Sequence, residues 1–284
     1  MSDLRNPYLQ DTGETLLRPS VVAFLDILGY RDMVLEAEKS GTGQQFLSLL
    51  HRTLKAAVNK LRDPLAEEDE LFKSSLLTKD LHKVVSFTDN IVIGYPISGD
   101  AESELGFICH DLANFQLTMV KAGFFIRRAI SLGHVYIDDF VVYGRGLIDA
   151  YDAEVDKARD PRIILTDSAQ AAVKRHLRYY TNPAHAPQIR DLYRDADGQF
   201  LLNYIDETMI AEDELGPDFE SISQHKVAVE NKLKDYTDQP PLWSKYAWVA
   251  NYHNFFCDLH SITDEYKIDL SNFQMKPSLI IEPP

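Results

Sequence analysis

The sequence has little of the chemistry that marks secreted, membrane-spanning or zinc-stabilised proteins. Its two cysteines, Cys109 and Cys257, are far apart and lack CxxC spacing, so neither a disulfide framework nor a structural zinc site is predicted. No segment approaches the roughly 18 consecutive apolar residues of a membrane span. The first residues, MSDLRNPYLQDTGE, contain no apolar signal region. We therefore expect a soluble, cytoplasmic protein without a membrane partner.

Basic residues are also scarce. The chain has 29 lysines and arginines against 44 acidic residues, which gives a net charge of −15. A surface that binds duplex nucleic acid needs a basic face, so no nucleic-acid partner is expected. A polyphosphate ligand would need metal ions to mediate its binding. With 45% hydrophobic residues over 284 positions, the composition is that of a globular protein.

The first part of the chain predicts a buried strand, two helices and a hairpin. Residues 20–26 (SVVAFLD) are a continuous apolar run that ends in a carboxylate, which is typical of a central strand buried on both faces. A turn and two helices follow, and residues 62–80 read as a solvated connection. Two β-rich runs, 83–87 and 91–95, flank Thr88-Asp89-Asn90, which predicts a tight hairpin.

The following segments continue this alternation up to residue 206. They predict, in order, a helix over 100–121 that ends at Gly123, a strand over 124–133, a hairpin turning near Asp138 and Asp139 and returning through 140–143, a helix over 147–158, and a strand over 161–166. The order is thus βααββαββαβ. A further helix and a closing hairpin with Asp197-Gly198 as its turn are predicted for 167–206.

This order predicts the fold class. Hairpins require antiparallel neighbours, and the crossover helices are expected on one face of the sheet. We therefore predict a two-layer α+β domain over residues 1–206, with a mainly antiparallel sheet that is not doubly wound. After Asp206 the strand signals vanish and the periodicity is helical, so residues 207–284 are predicted to be a helical extension.

The sharpest functional feature is a pair of carboxylates at strand ends, Asp26 in FLDILGY and Asp89 in SFTDNIV. Each has a local explanation, because an Asp after a strand often caps the next helix and an Asp in a hairpin often makes the turn. Together they also suit a pair of divalent ions about 3.5–4 Å apart. Gly29 would let the backbone amides after Asp26 approach phosphates at the start of the following helix. Spacing alone leaves both interpretations open.

The motifs FLDILGY, SFTDNIVIG, and RRAISLG followed by VVYGRGLIDAYDAE resemble the successive signatures of class III nucleotidyl cyclases over residues 20–206. The resemblance implies that Asp26 and Asp89, with the Ile27 carbonyl, bind two Mg²⁺ or Mn²⁺ ions. It also implies a head-to-tail homodimer with two equivalent sites. The residues that it implies for nucleotide binding are Ile27, Leu28, Gly29, Tyr30 and Arg127.

More closely, D-I-L-G, S-F-T-D-N, A-I-S-x-G and P-R-I-x-L are similar to the pyrimidine cyclases of bacterial Pycsar antiphage defence. This resemblance implies conversion of UTP to 3′,5′-cyclic UMP and pyrophosphate, as a second messenger in antiviral defence. The alternatives are a cytidylate cyclase that acts on CTP, an ordinary purine cyclase, and a degenerate domain that binds nucleotides as a sensor.

Departures from the purine cyclases favour a pyrimidine. Val85 and Val141 occupy the positions where those enzymes carry a Lys and an Asp that read the base. Ile148 and Asp152 occupy the positions of their transition-state Asn and Arg. Another cation should then stabilise the transition state, because phosphoryl transfer depends on electrostatic stabilisation. Arg127 is the first candidate for a catalytic cation.

Several other residues have a functional and a structural interpretation, and the structural one is preferred for each. Arg128, Arg162 and Lys83 are interpreted as solvated strand ends or ion pairs. Gly144-Arg-Gly146 is too short for a nucleotide-binding fingerprint and is read as a glycine turn into a helix. The face formed by His253, Cys257 and His260 could be drawn as a metal site, but the aromatic residues around it favour a packed helix.

Overall fold

A computed structural model describes residues 6–61, 80–157, 159–209 and 216–273. The predicted connection over 62–80 lies, apart from its last residue, outside the described residues. The strands are β1 Arg18–Ile27, β2 Lys83–Phe87, β3 Asn90–Pro96, β4 Ile126–Ile137, β5 Val142–Tyr143, β6 Ile163–Leu165, β7 Leu192–Arg194 and β8 Phe200–Leu202. The helices are α1 Tyr30–Lys39, α2 Gly43–Lys60, α3 Glu102–Lys121, α4 Arg145–Lys157, α5 Asp167–His176, α6 Pro187–Asp191, α7 Phe219–Asp235 and α8 Pro240–Leu259. The predicted order βααββαββαβ is confirmed.

The strands form one sheet in the order β2-β3-β1-β4-β6-β8-β7, and β5 pairs with β4 outside this path. All of these pairings are antiparallel except the one between β4 and β6, which is parallel. Strand β1 lies between β3 and β4, so its backbone groups pair on both sides. The mainly antiparallel mixed sheet is therefore as predicted for the α+β class.

The two faces of β1 belong to different hydrophobic clusters, because successive strand residues point to opposite faces. Val21, Ala23 and Leu25 join the larger cluster, which includes α2 and α3. Val22 and Phe24 join a smaller cluster, which contains Tyr8 and the α4 residue Ala150.

The predicted two-layer arrangement needs one correction, because α4 covers part of the second face of the sheet. The reason is the continuous apolar run of β1, whose side chains need cover on both faces. The Gly144-Arg-Gly146 segment allows this approach. Gly144 has φ 137, and a Cβ there would collide with the His134 carbonyl oxygen. A Cβ on Gly133 would lie 2.7 Å from the Gly146 Cα. The Gly144-Arg-Gly146 segment is therefore a glycine turn into a helix, as predicted.

The described C-terminal helices extend the same core and cover one end of the sheet. Val229 and Leu233 of α7, with Val249 of α8, belong to the larger hydrophobic cluster. The Tyr193 ring of β7 contacts the Phe255 ring of α8 edge to face, with centroids 5.6 Å apart. Helix α8 thus packs on the β7 end of its own sheet. Within the described ranges, no helix combines the length and apolarity that crossing a membrane requires.

Two buried histidines connect α7 to α8. The His253 Nε2 lies 2.8 Å from the Tyr266 carbonyl oxygen, which can only accept, so this nitrogen carries the proton. The neutral His253 Nδ1 then accepts from the His225 Nδ1, 3.0 Å away, and the His225 Nε2 accepts from the Tyr204 hydroxyl at 2.8 Å. This chain of hydrogen bonds is complete with both rings neutral, the form that burial favours. His253 and Cys257 therefore belong to the packed interior of α8.

This arrangement should make the fold sensitive to acid. Burial lowers the pKa of His225 well below its ordinary value and also lowers that of His253. The unfolded chain therefore binds more protons as the pH falls below about 6.5, and stability is lost in that direction. One such histidine lowers the free energy of unfolding by about 1.4 kcal/mol between pH 7.5 and 5.5. His225→Gln keeps a hydrogen-bond donor and an acceptor but cannot take up a proton. Over the same pH range its free energy of unfolding should therefore fall by about that much less than that of the parent protein.

Urea unfolding at the two pH values measures this difference. The matched control is His51→Gln, which replaces an exposed histidine of α2. The control should keep the acid sensitivity of the parent protein. Equal acid losses in the parent and in His225→Gln would refute the interpretation of the neutral pair.

Candidate functional site

Asp26 and Asp89 lie at the same end of two adjacent strands. In the β1–β3 ladder Asp26 is the partner of Asn90, the residue after Asp89. The Ile27 amide donates to the Asp89 carbonyl oxygen at 3.2 Å, so the backbones of the two segments are hydrogen-bonded at this point. The structure thus places next to each other the two strand ends that carry Asp26 and Asp89, which the sequence separates by 62 intervening positions.

Asp26 forms a two-arginine ion pair. The carboxylate is nearly buried, with 8% of the side chain exposed. Its Oδ1 accepts from the Arg127 Nε at 2.9 Å, and its Oδ2 accepts from a terminal nitrogen of Arg127 and one of Arg128, both at 3.1 Å. Asp26 and Arg127 are also direct partners in the β1–β4 ladder, which holds both side chains on one face.

Arg128 reaches the same carboxylate through an unusual backbone conformation. Its φ is 116°, which is rare for a residue other than glycine and stores strain of about 1–3 kcal/mol. The guanidinium lies 4.7 Å from the centroid of the Phe24 ring and 5.0 Å from that of Tyr151. These cation–π contacts and the Asp26 ion pair stabilise the side chain in this position. Strain of this kind is often found at functional sites.

Asp89 occupies the tip of the predicted hairpin and is partly exposed. Thr88, with φ 56, makes the tight turn. The Asp89 Oδ1 accepts from the Thr88 hydroxyl at 2.9 Å and from the Asn90 side-chain amide at 3.1 Å. In the described part of the chain these hydrogen bonds are with sequence neighbours alone, so the local turn role and a ligand-binding role are compatible for this carboxylate.

The turn after Asp26 leads directly into α1. Gly29 adopts the left-handed conformation, with φ 74, and precedes the first helical residue, Tyr30. The Leu28 amide donates to the Phe125 carbonyl oxygen at 2.8 Å, so this turn is fixed to the start of β4. The helix N-terminus favours anions, although Asp32 in the first turn opposes that effect.

The other candidate cations have partners elsewhere. Arg162 is buried and forms ion pairs with Asp195 and Asp197. The Lys83 ammonium lies 2.7 Å from an Asp139 carboxylate oxygen. Both residues therefore have the ion-pair role that their sequence context favours. Of the four candidate cations, only Arg127 and Arg128 contact Asp26.

The positions that differ from a purine cyclase lie on or near the face of β1 that carries Asp26. Val85 of β2 packs partly buried against the smaller hydrophobic cluster, whereas Val141 is half-exposed in the turn before β5. Ile148 and Asp152 are exposed on α4. Neither supplies a positive charge.

The donor set suits a hard divalent cation that arrives with a phosphate ligand. Two carboxylates and the Ile27 carbonyl provide oxygen donors, which Mg²⁺ and Mn²⁺ prefer. Within the described ranges, no group of three or more His, Cys, Asp or Glu side chains could hold a metal. Magnesium in phosphoryl-transfer sites is commonly held by one or two carboxylates plus substrate phosphates. Binding here would require Asp26 to exchange an arginine contact.

Sequence patterns alone missed two features near this site. The approach of Arg128 to Asp26 depends on its strained backbone, and the adjacent basic pair in RRAISLG is its only sequence signal. Lys245 of α8 lies close enough to Arg127 and Asp26 for their charges to affect its pKa. A lysine in an aromatic helix gives no local signal of that proximity.

Neither a scan of the sequence against protein-family models nor a search of curated proteins gives a match.

Proposed function

We propose that the protein is a nucleotidyl cyclase that converts UTP to 3′,5′-cyclic UMP and pyrophosphate. The observation that carries the proposal is the position of Asp26 and Asp89 at one end of adjacent strands, joined by the hydrogen bond from the Ile27 amide to the Asp89 carbonyl. The cyclase-like motifs over residues 20–206 supply the reaction type. The same resemblance is the basis for proposing a role in antiviral, antiphage defence.

In the proposed reaction the ribose 3′-hydroxyl oxygen forms a bond to the α-phosphorus. The bond from that phosphorus to the bridging oxygen breaks, pyrophosphate leaves, and the hydroxyl proton passes to solvent. Asp26, Asp89 and the Ile27 carbonyl would hold two Mg²⁺ or Mn²⁺ ions. When bound, these ions supply acidification of the hydroxyl and shielding of the phosphate charge.

The protein groups around these carboxylates position the phosphates. The amides of Gly29 and Tyr30, at the start of α1, would bind the β- and γ-phosphates, and the left-handed Gly29 has open space where a Cβ would project. Arg127 is the cation that stabilises charge on the reacting phosphoryl group. When the nucleotide binds, the Arg127 guanidinium would exchange one contact with Asp26 for a contact with a phosphate oxygen. It would therefore be paired with an anion both before and after binding.

The pyrimidine preference rests on what replaces the purine-reading groups. Val85 and Val141 cannot donate or accept a hydrogen bond through their side chains, so the pair cannot read a purine edge. UTP is the proposed substrate and CTP the closest alternative, both by resemblance to the Pycsar cyclases.

One assay tests the reaction and the base together. The purified protein is incubated separately with UTP, CTP, ATP and GTP in the presence of Mn²⁺, and the products are identified by mass. Cyclic UMP is the expected product. Absence of every cyclic nucleotide would overturn the enzymatic function, and cyclic AMP alone would overturn the pyrimidine assignment.

A nucleotide-binding sensor is the second candidate, and one observation favours it. Both carboxylate oxygens of Asp26 already accept from arginines, as expected for a structural ion pair. A sensor would bind nucleoside triphosphates without producing cyclic nucleotide. Calorimetric binding measured on the samples used for the product assay separates the two functions.

A homodimer is proposed from an exposed apolar surface on the Asp26 face of the sheet. The surface comprises the exposed side chains Phe87, Phe140, Tyr143, Ile148 and Tyr151. Phe87 pairs with Asn90, which pairs with Asp26, so it shares the face of that carboxylate. Exposed apolar groups collected in this way mark interaction sites. The proposed occupant is a second copy of the chain in a head-to-tail arrangement.

Ile148→Lys should therefore weaken the dimer by about tenfold or more, because a lysine would lose its hydration in the interface. Sedimentation at several concentrations measures the effect. Leu47→Lys on α2 is the control, since its side chain is similarly exposed but its helix packs with the larger cluster, on the other face. A dimer equally stable in both variants would contradict the proposed surface.

A further inference from the structure

The first turns of α8 lie beside the strand end that carries Arg127. The Tyr246 ring contacts the Phe125 ring edge to face, with centroids 5.0 Å apart, and Phe125 is two residues before Arg127. On the neighbouring loop, Arg159 donates to the Ser244 hydroxyl at 3.2 Å. Lys245 lies between these two anchored residues and is half-buried. The C-terminal helix thus brings a lysine to the candidate site.

The charges around this lysine do not balance. Arg127 and Arg128 share the carboxylate of Asp26, and Arg159 lies 3.5 Å from an Asp160 oxygen. In the part of the chain that the structure describes, the Lys245 ammonium has no hydrogen-bond or ion-pair partner. Burial lowers its pKa, the charges of Arg127 and Arg159 lower it further, and Asp160 and Asp26 oppose the shift. Among the described residues, the three positive charges of Lys245, Arg127 and Arg159 thus lie near the two carboxylates of Asp26 and Asp160.

A local excess of positive charge is unexpected in a chain with a net charge of −15. A half-buried ammonium beside guanidiniums is unfavourable unless an anion compensates it. A polyphosphate supplies several charges and several acceptor oxygens at once, and it suits both the compact ammonium of lysine and the planar guanidinium of arginine. A single carboxylate would neutralise only part of the excess.

We propose that Lys245, together with Arg127 and Arg159, binds the polyphosphate chain of the nucleoside triphosphate. This inference rests on the proposed function and extends it. It makes the C-terminal helical part a component of the substrate site. Lys245 and Arg159 would also supply the positive charge that Ile148 and Asp152 of α4 lack. Lys245 is a substrate-positioning residue in this role, because its contact is with the phosphates.

Two readouts test the proposal. Calorimetry measures binding of inorganic tripolyphosphate, which needs no turnover, and initial rates give KM and kcat for UTP. Lys245→Met should weaken tripolyphosphate binding and raise KM, each by about tenfold or more, the effect of losing a charged hydrogen bond. Lys245→Arg should restore most of both. Lys55→Met, an exposed lysine on α2, is the charge-matched control and should behave as the parent protein.

The outcomes distinguish the two proposals. Tripolyphosphate binding that depends on Lys245, without any cyclic product, would support this site and overturn the cyclase function. If Lys245→Met forms cyclic product with an unchanged KM and an unchanged affinity for tripolyphosphate, this site is overturned and the cyclase function stands. A parent protein that does not bind tripolyphosphate would also overturn this site. Thermal unfolding of each variant identifies any loss caused by misfolding.

Discussion

Replacing Asp89 with Ala is expected to lower turnover of UTP by about 10²–10³-fold or more, because the change removes one of the two carboxylates proposed to hold the metal ions. The stability of the fold should hardly change. Asp89 is partly exposed, and within the described residues its side chain forms hydrogen bonds with its sequence neighbours Thr88 and Asn90 alone. Cyclic UMP formation with Mn²⁺ and thermal unfolding measure the two effects.

A second hairpin supplies the control for this experiment. Asp139 also lies in a hairpin turn, is exposed, and pairs with the partly buried Lys83. Asp139→Ala should retain turnover, because the exposed Asp139 carboxylate is absent from the proposed site and an ion pair with one exposed partner contributes little to stability. Asp89→Asn, which keeps the shape and loses the charge, should be as inactive as Asp89→Ala. Full turnover in either Asp89 variant would mean that the metal site is elsewhere.

The sequence was sufficient to predict the elements that present the two carboxylates. The apolar run before Asp26 and the Thr88-Asp89 turn are local signals, and the strand and hairpin follow from them. Helix α4 was predicted, but its position on the second face of the sheet was not, because the apolar pattern of a helix does not indicate which sheet face it packs against. The apolar side chains of β1 required cover on both faces, and the structure meets that requirement with α4 and the segment around Tyr8.

The surroundings of Asp26 were harder to predict than its position. Its contact with Arg128 joins residues 102 positions apart and requires a backbone conformation that no sequence pattern encodes. Lys245 is still more distant along the chain and reaches the site only because Tyr246 packs on Phe125. Strand pairing can be anticipated from local periodicity, whereas contacts made by a separate helical segment depend on the packing of the whole core.

Asp26→Ala should have a larger effect on stability than any other change at this site, in addition to abolishing turnover. It would leave the buried Arg128 and the partly buried Arg127 without the carboxylate that they share. Removing one member of a buried ion pair costs about 3–5 kcal/mol because the remaining charge is uncompensated. Urea unfolding should show a lower midpoint concentration, while the dependence of the free energy of unfolding on urea concentration stays the same. The Asp26 and Asp89 variants therefore differ in stability even though both are inactive.

A double-mutant cycle separates the two roles of Asp26. If the loss of stability comes from uncompensated charge, Arg127→Met in the Asp26→Ala background should recover part of it, because one of the two cations that paired with Asp26 is gone. Turnover should not recover, since the cycle restores neither the carboxylate nor the cation. Arg145→Met is the control, because its guanidinium is largely exposed and pairs with Asp149 within α4. An Asp26→Ala protein as stable as the parent would indicate that other anions already compensate both arginines, and the carboxylate would then be retained for ligand binding alone.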